Sequence, residues 1–174
     1  MTIKKFCYVQ ALPGTGKTSI IERLHNRGIF AVDGDDITRV FPQKFFPHIG
    51  ERFKQVIDGL NCPDVILSSY WSRDFEPALK FEADLVFFKG YEAWMDDIRA
   101  SRLDLIERFD EETLMKWVQD YESMYMSPQR FLGPEVTRLG HGEYLNHYID
   151  KIEAVTKLYK MQGIWNGQRK SKVS

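Results

Sequence analysis

The run "FCYVQALPGTGKTSIIERL", Phe6 to Leu24, constrains this chain more than any other stretch. An apolar segment enters a turn rich in proline and glycine, passes a lysine and two hydroxyls, and becomes a helical pattern burying Ile20, Ile21 and Leu24. Gly28 supplies the stop for that helix. A strand, a tight loop and a helix in immediate succession open an α/β sheet, because the helix carries the chain back across the sheet to a parallel neighbour.

Within that run "ALPGTGKT", Ala11 to Thr18, fits a phosphate-binding loop, with Ala11 standing where the first glycine is usual. Pro13 and Gly14 shape the turn, Thr15 follows, and Gly16 lets the backbone approach a phosphate with no side chain in the way. Inward-pointing N–H groups and the positive end of the following helix attract an anion. Lys17 reaches the outer phosphates, Thr18 offers a hydroxyl to magnesium, and Ser19 falls in the first helical turn. Pro13 to Ser19 are therefore the candidate ligands of a nucleoside triphosphate, with Thr18 as the metal ligand.

The rest of the chain alternates. "IFAVDGDD" is a second strand ending in acids, "DVILSS" and "DLVFF" are two more, and "VTRLG" is a fifth. Between them fall helical stripes: Phe53, Val56, Ile57 and Leu60; then Trp94, Met95, Ile98, Leu105 and Ile106; then Leu114, Trp117, Val118 and Tyr121. Leu145, Tyr148, Ile149, Ile152 and Tyr159 form a closing helix, "SPQRFLGPE" reads as a loop, and the basic end at 166–174 as a flexible tail. The alternation predicts an α/β fold with about five parallel strands, helices on both faces, and the first strand central so that its loop opens at the carboxyl edge. At 174 residues the chain suits one domain, 1–174.

Some classes are disfavoured. With 24 basic and 25 acidic residues, bulk charge makes no case for nucleic acid or membrane binding. No apolar stretch is long enough to span a bilayer, and "MTIKKFCYVQA" reads as a strand rather than a signal peptide. Cys7 and Cys62 make no disulfide framework, which points to a reducing cytoplasm. His25, His48, His141 and His147 have no metal-site spacing.

Beyond the loop, "VDGDDITR" and "YEAWMDDIRASRLDLIERFDEE" make the chain resemble the small P-loop kinases, the nucleoside-monophosphate and polynucleotide kinase-like group. The resemblance covers the loop half well and the later helices loosely, and the lean chain is similar in style to phage-encoded enzymes. It implies a three-layer P-loop fold, ATP as donor and Mg2+ as cofactor. In relatives that phosphorylate a hydroxyl, an acid after the second strand takes the acceptor's proton; Asp35 is the first candidate and Asp33 the second. Asp36 faces the acceptor or caps the next helix. Arg39 is similar to the arginine that clamps an acceptor phosphate in monophosphate kinases, one residue later than their pattern.

The resemblance also implies a helical lid over 91–126. Arg99 and Arg102, three apart on one helical face, would close over the γ-phosphoryl group, with Arg108 a weaker third. Asp96, Asp97, Asp104 and Glu107 offer those arginines a competing use as surface ion pairs. Acceptor pockets in this group are built near "VFPQKFFPHIGERFKQ", where Phe41, Phe45 and Phe46 can stack on a base, together with Tyr70, Trp71 and Arg73. No strand ends in the acid of a Walker B motif, since "VILSS" closes on Ser68 and Ser69 and "DLVFF" on Lys89. That argues against a motor-type ATPase more than against a kinase.

The expected function is ATP- and Mg2+-dependent phosphoryl transfer to a nucleotide-class acceptor. The acceptor is a deoxynucleoside monophosphate, or a hydroxyl of a nucleotide or nucleic acid such as a 5′-OH or a hydroxymethylated base. A small-metabolite kinase and a nucleotide-binding regulatory ATPase are the alternatives.

Overall fold

The computed structural model describes residues 6–126 and 133–173, with side chains to Met161. Residues 1–5, the greater part of the expected "SPQRFLGPE" loop, and the side chains of the basic tail lie outside the described residues.

Strand β1 (Cys7–Ala11) leads through the loop into α1 (Lys17–Asn26), and β2 (Ala31–Asp33) turns at once into α2 (Gly34–Val40). Helix α3 (Ile49–Ile57) precedes β3 (Val65–Ser68), a 3₁₀ turn at Ser72–Phe75, and β4 (Leu85–Lys89). Then come α4 (Tyr91–Ser101), α5 (Leu103–Arg108), α6 (Glu111–Tyr125), β5 (Glu135–Leu139), a 3₁₀ turn at Leu145–Tyr148, and α7 (Ile149–Val173). The sheet is five-stranded in the order β2-β3-β1-β4-β5, every neighbouring pair parallel. The first strand is central, as its loop requires. No described helix is long and apolar enough to cross a membrane.

Strand alternation builds two cores. Cys7, Val9 and Ala11 face a layer formed with Ile20 and Leu24 of α1 and Ile149 and Ile152 of α7. Phe6 and Tyr8 face the other, with Phe53 of α3, Trp94 and Ile98 of α4, and Val118 and Tyr121 of α6. Both faces are covered over the inner strands, so β1, β3 and β4 read as largely apolar runs rather than alternating ones, whereas β5 at the edge is exposed or half-buried up to Leu139. The register sets Gln10 opposite Ser68, Ala11 opposite Phe87, and Leu139 opposite Lys89. Asp33, Ser68, the loop after β1 and Lys89 therefore gather at the carboxyl edge, where open parallel sheets bind ligands.

Two elements differ from the sequence pattern. Helix α3 ends at Ile57, and Leu60, expected on its buried face, is fully exposed just past Gly59. The stripe expected from Trp94 to Ile106 is not one helix. Arg102, at φ −135° and ψ 54°, stops α4 and starts α5.

Candidate active site

The loop after β1 is held from three directions. Gly14 (φ +77°) and Gly16 (φ +96°) occupy the left-handed region that a side-chain-bearing residue adopts only with strain. The Thr15 hydroxyl donates to the Leu12 carbonyl at 2.6 Å, bracing the turn from within. The indole N–H of Trp94, on α4, donates to the Pro13 carbonyl at 2.8 Å. The Leu145 N–H donates to the Thr15 carbonyl at 3.1 Å. With those carbonyls engaged on the protein side, no described atom accepts from the N–H groups of Gly14, Thr15, Gly16 or Lys17.

Lys17 is 8% exposed, and its ammonium donates to the carbonyls of Leu12 at 3.1 Å and Ala11 at 3.4 Å. Burial pulls it from the ordinary 10.5 to about 8, against the opposing fields of Asp33 and Asp35 and with the help of Arg102. A buried ammonium beside orphaned N–H groups fits an oligophosphate, which would partner both. Thr18 and Ser19 are exposed on the first turn of α1. Among the described residues no cluster of three or more His, Cys, Asp or Glu side chains could hold a metal. A magnesium ion would thus rest on Thr18, the nearby acids and phosphate oxygens, the sparse protein coordination that ion tolerates.

Across the edge, Asp33 ends β2 with 7% exposure. Its Oδ1 accepts from the Asp35 N–H at 2.9 Å, capping α2. Burial raises its carboxyl pKa, opposed by that amide and by Lys17. Gly34 lets the turn lie against β3: a Cβ there would fall 2.5 Å from Ser68 Oγ and 2.8 Å from Ser68 Cβ. Asp35 is exposed at the start of α2, and its field reaches Lys17, Tyr70 and Arg102.

The arginines separate. Arg102 lies against the loop, its Cγ 3.6 Å from where a Gly14 Cβ would be, and its guanidinium grips Asp104 through two 2.9 Å bonds. Arg99 is on the continuous part of α4 beside Asp96, at 3.7 Å, and its field reaches Tyr91 rather than Lys17. Arg108 covers the Phe109 ring at 5.3 Å. Arg39 pairs with Asp36 at 3.3 Å on the exposed side of α2. Phe45 is 70% exposed, whereas Phe41 and Phe46 pack edge to face at 5.5 Å.

Tyr70 packs its ring on Phe53 and Phe75, and its carbonyl accepts from the Tyr8 hydroxyl at 2.6 Å. Burial raises its phenol pKa, Asp35 adds to the rise, and Arg52 opposes it. Arg73 sits over the Trp71 ring at 5.1 Å.

Sequence reasoning missed several of these groups. Arg52, fixed by the Phe46 carbonyl at 2.6 Å, faces the same phenol as Asp35. Trp94 was a core residue by pattern, with no sign of its bond to the loop. Lys89, fully buried at the end of β4, meets Asp97 Oδ2 at 2.5 Å, while Asp97 Oδ1 accepts from the Tyr144 hydroxyl at 2.9 Å. A charge closing an otherwise apolar strand was the one available signal.

No protein-family model matches the chain, and no curated protein matches it. Among solved structures it is similar to a gluconokinase from Sinorhizobium meliloti 1021, at 14% identity and a TM-score of 0.49, over 95% of this chain and 99% of that one. A likeness this slight bears on neither family nor acceptor.

Proposed function

We propose that the protein is an ATP- and Mg2+-dependent phosphotransferase that moves the γ-phosphoryl group of ATP to a nucleotide-class acceptor. One observation carries the reading. Buried Lys17, in a loop where the N–H groups of Gly14 to Lys17 find no acceptor among the described residues, shares its electrostatic surroundings with Asp33, Asp35 and Arg102. Those are the groups that a binding loop and a transfer site need side by side.

The loop amides and Lys17 hold the outer phosphates. Magnesium, when bound at Thr18, supplies further neutralisation of phosphate charge. Arg102, leaning on Gly14, exchanges part of its hold on Asp104 for the transferring group. Arg99, beside Asp96 on the same helix, is the second candidate for that role. With a hydroxyl acceptor, Asp35 accepts the proton as the acceptor oxygen bonds to the γ-phosphorus, the bond to the β,γ-bridging oxygen breaks, and ADP leaves with that electron pair. Asp33 fixes the start of α2 and is the second candidate base. Transfer is direct, and positioning and charge account for most of the acceleration.

The test is transfer of labelled γ-phosphate to a panel of nucleosides, nucleoside monophosphates, 5′-hydroxyl oligonucleotides and DNA containing hydroxymethyluracil. With a hydroxyl acceptor, Asp35→Asn is expected to lose about 10²–10⁴ in turnover while MgATP affinity holds. MgATP binding with slow hydrolysis and no labelled acceptor would instead favour a regulatory ATPase.

A further inference from the structure

We infer that a chamber beside the phosphate loop binds the ring of an acceptor that carries hydroxyl and N–H groups but no phosphate, a nucleoside-like molecule. The word acceptor rests on the phosphotransferase reading; the binding chemistry does not.

The chamber holds about 290 Å³. Leu12 and Pro13 bound it on the loop side, Tyr70 and Trp71 beyond β3, and Trp117 and Tyr121 on α6. Its aromatic walls are braced from behind. Trp71 stacks on Tyr125 with rings 3° from parallel at 5.4 Å, and Trp117 meets Phe109 at 4.8 Å. Such walls keep their spacing without a ligand, and a flat ring can pack against them. The wall at Pro13 belongs to the phosphate loop itself, so a ligand here lies next to the transferring group.

Charge decides the class. Among the described residues, the charged side chains lining the chamber are Asp74 and Asp120. Asp74 accepts one bond from the Trp71 N–H at 2.8 Å, and Asp120 has a loose contact with Lys116 at 3.7 Å. Both keep lone pairs for a donor. Arg73 on the Trp71 ring, and Arg52 near the Tyr70 hydroxyl, do not line the chamber. Among the described residues, a phosphate placed here would face two carboxylates with no cation lining the wall beside it, and only Lys116 behind Asp120, whereas ring N–H and hydroxyl groups would find acceptors. A second observation also points to a polar ligand. The hydroxyl of Tyr121, 2% exposed, has no hydrogen-bond partner among the described residues. The side chain of fully buried Gln10 lies close enough to that hydroxyl to lower its pKa but does not line the chamber. Unpaired buried polar atoms are costly, and a ligand oxygen or nitrogen would relieve that cost.

The experiment is titration of the full chain, without ATP, with the four deoxynucleosides and their 5′-monophosphates. Tryptophan fluorescence reports on Trp71 and Trp117, and calorimetry gives the affinities. At least one nucleoside is expected to bind about tenfold or more tightly than its own monophosphate. Asp120→Asn is expected to shrink that ratio by weakening the nucleoside and strengthening the monophosphate, with MgATP affinity intact as the check on folding. A monophosphate that binds better than its nucleoside, or no binding by any nucleoside, overturns the inference. Nucleoside binding without phosphoryl transfer would leave the chamber standing and sink the transfer reading. Transfer to a monophosphate would do the reverse.

Discussion

Replacing Asp97 with alanine strands the ammonium of Lys89. That lysine is fully buried at the end of β4, Asp97 is 13% exposed on α4, and the two meet at 2.5 Å. Among the described residues its other partner is the Tyr144 ring, 4.1 Å from the ammonium, and a ring face offsets only part of a buried charge. Removing one partner of a buried pair costs about 3–5 kcal/mol. For a chain of this size each kcal/mol lowers Tm by about 2–4 °C, so a fall of roughly 6–20 °C is expected. Lys89→Met combined with Asp97→Leu removes both charges and should recover most of the loss, because apolar replacements of a buried pair are often close to neutral. The damage should reach the loop as well. Asp97 is flanked on α4 by Trp94, which holds the Pro13 carbonyl, and Ile98, which lies against Gly14. Thermal unfolding followed by circular dichroism, with MgATP affinity by calorimetry, measures both effects. A Tm within about 2 °C of wild type for Asp97→Ala, or a double variant no better than the single, would refute the reasoning.

Two further predictions follow from the same edge of the sheet. Lys17 titrates near 8 in the folded protein against 10.5 ordinarily, so between those pH values the unfolded chain binds more protons and stability rises with pH. The penalty, about 3 kcal/mol, is complete below pH 8, and the stability difference between wild type and Lys17→Met across that window should display the slope; parallel curves would contradict it. Gly34→Ala drives a Cβ into Ser68 and should cost about 1–3 kcal/mol, measured by urea unfolding. Ser68→Gly in the same chain should restore part of the loss, and no recovery would mean that the strain lies elsewhere.

Much of the fold was legible because its demands are local. A turn in the left-handed region needs glycine at Gly14 and Gly16. The inner strands β1, β3 and β4, buried on both faces, are largely apolar runs, so a sheet with a central β1 followed from the sequence. Strand β5, Glu135–Leu139, is exposed or half-buried up to Leu139 and was read from its alternation with the helices. Of the candidate site, what could be read in advance is what chain neighbours supply, as at Lys17 and at Asp33 to Asp35, which the fold brings to one edge of the sheet. Spacing alone put Arg99 and Arg102 on one face, but the rule assumes an unbroken helix, and "DDIRASRLD" has no proline or glycine to announce the break. Arg102 ends α4 with its guanidinium on Asp104, leaving Arg99 with Asp96. Tyr70 and Arg73 were assigned to one pocket by proximity in sequence; Tyr70 lines the chamber and Arg73 does not. Asp97 read as a partner for surface arginines because its true partners, Lys89 and Tyr144, come from elements that only tertiary packing brings to it. Arg52 was hidden for the same reason.

The most direct measurement is ³¹P NMR of the full chain with MgATP, the deoxynucleosides, a 5′-hydroxyl oligonucleotide and DNA containing hydroxymethyluracil together. The account predicts a phosphomonoester signal growing in step with ADP, and its loss in Lys17→Met. ADP accompanied by an equal amount of inorganic phosphate and no phosphomonoester, or ATP left unchanged, would contradict it.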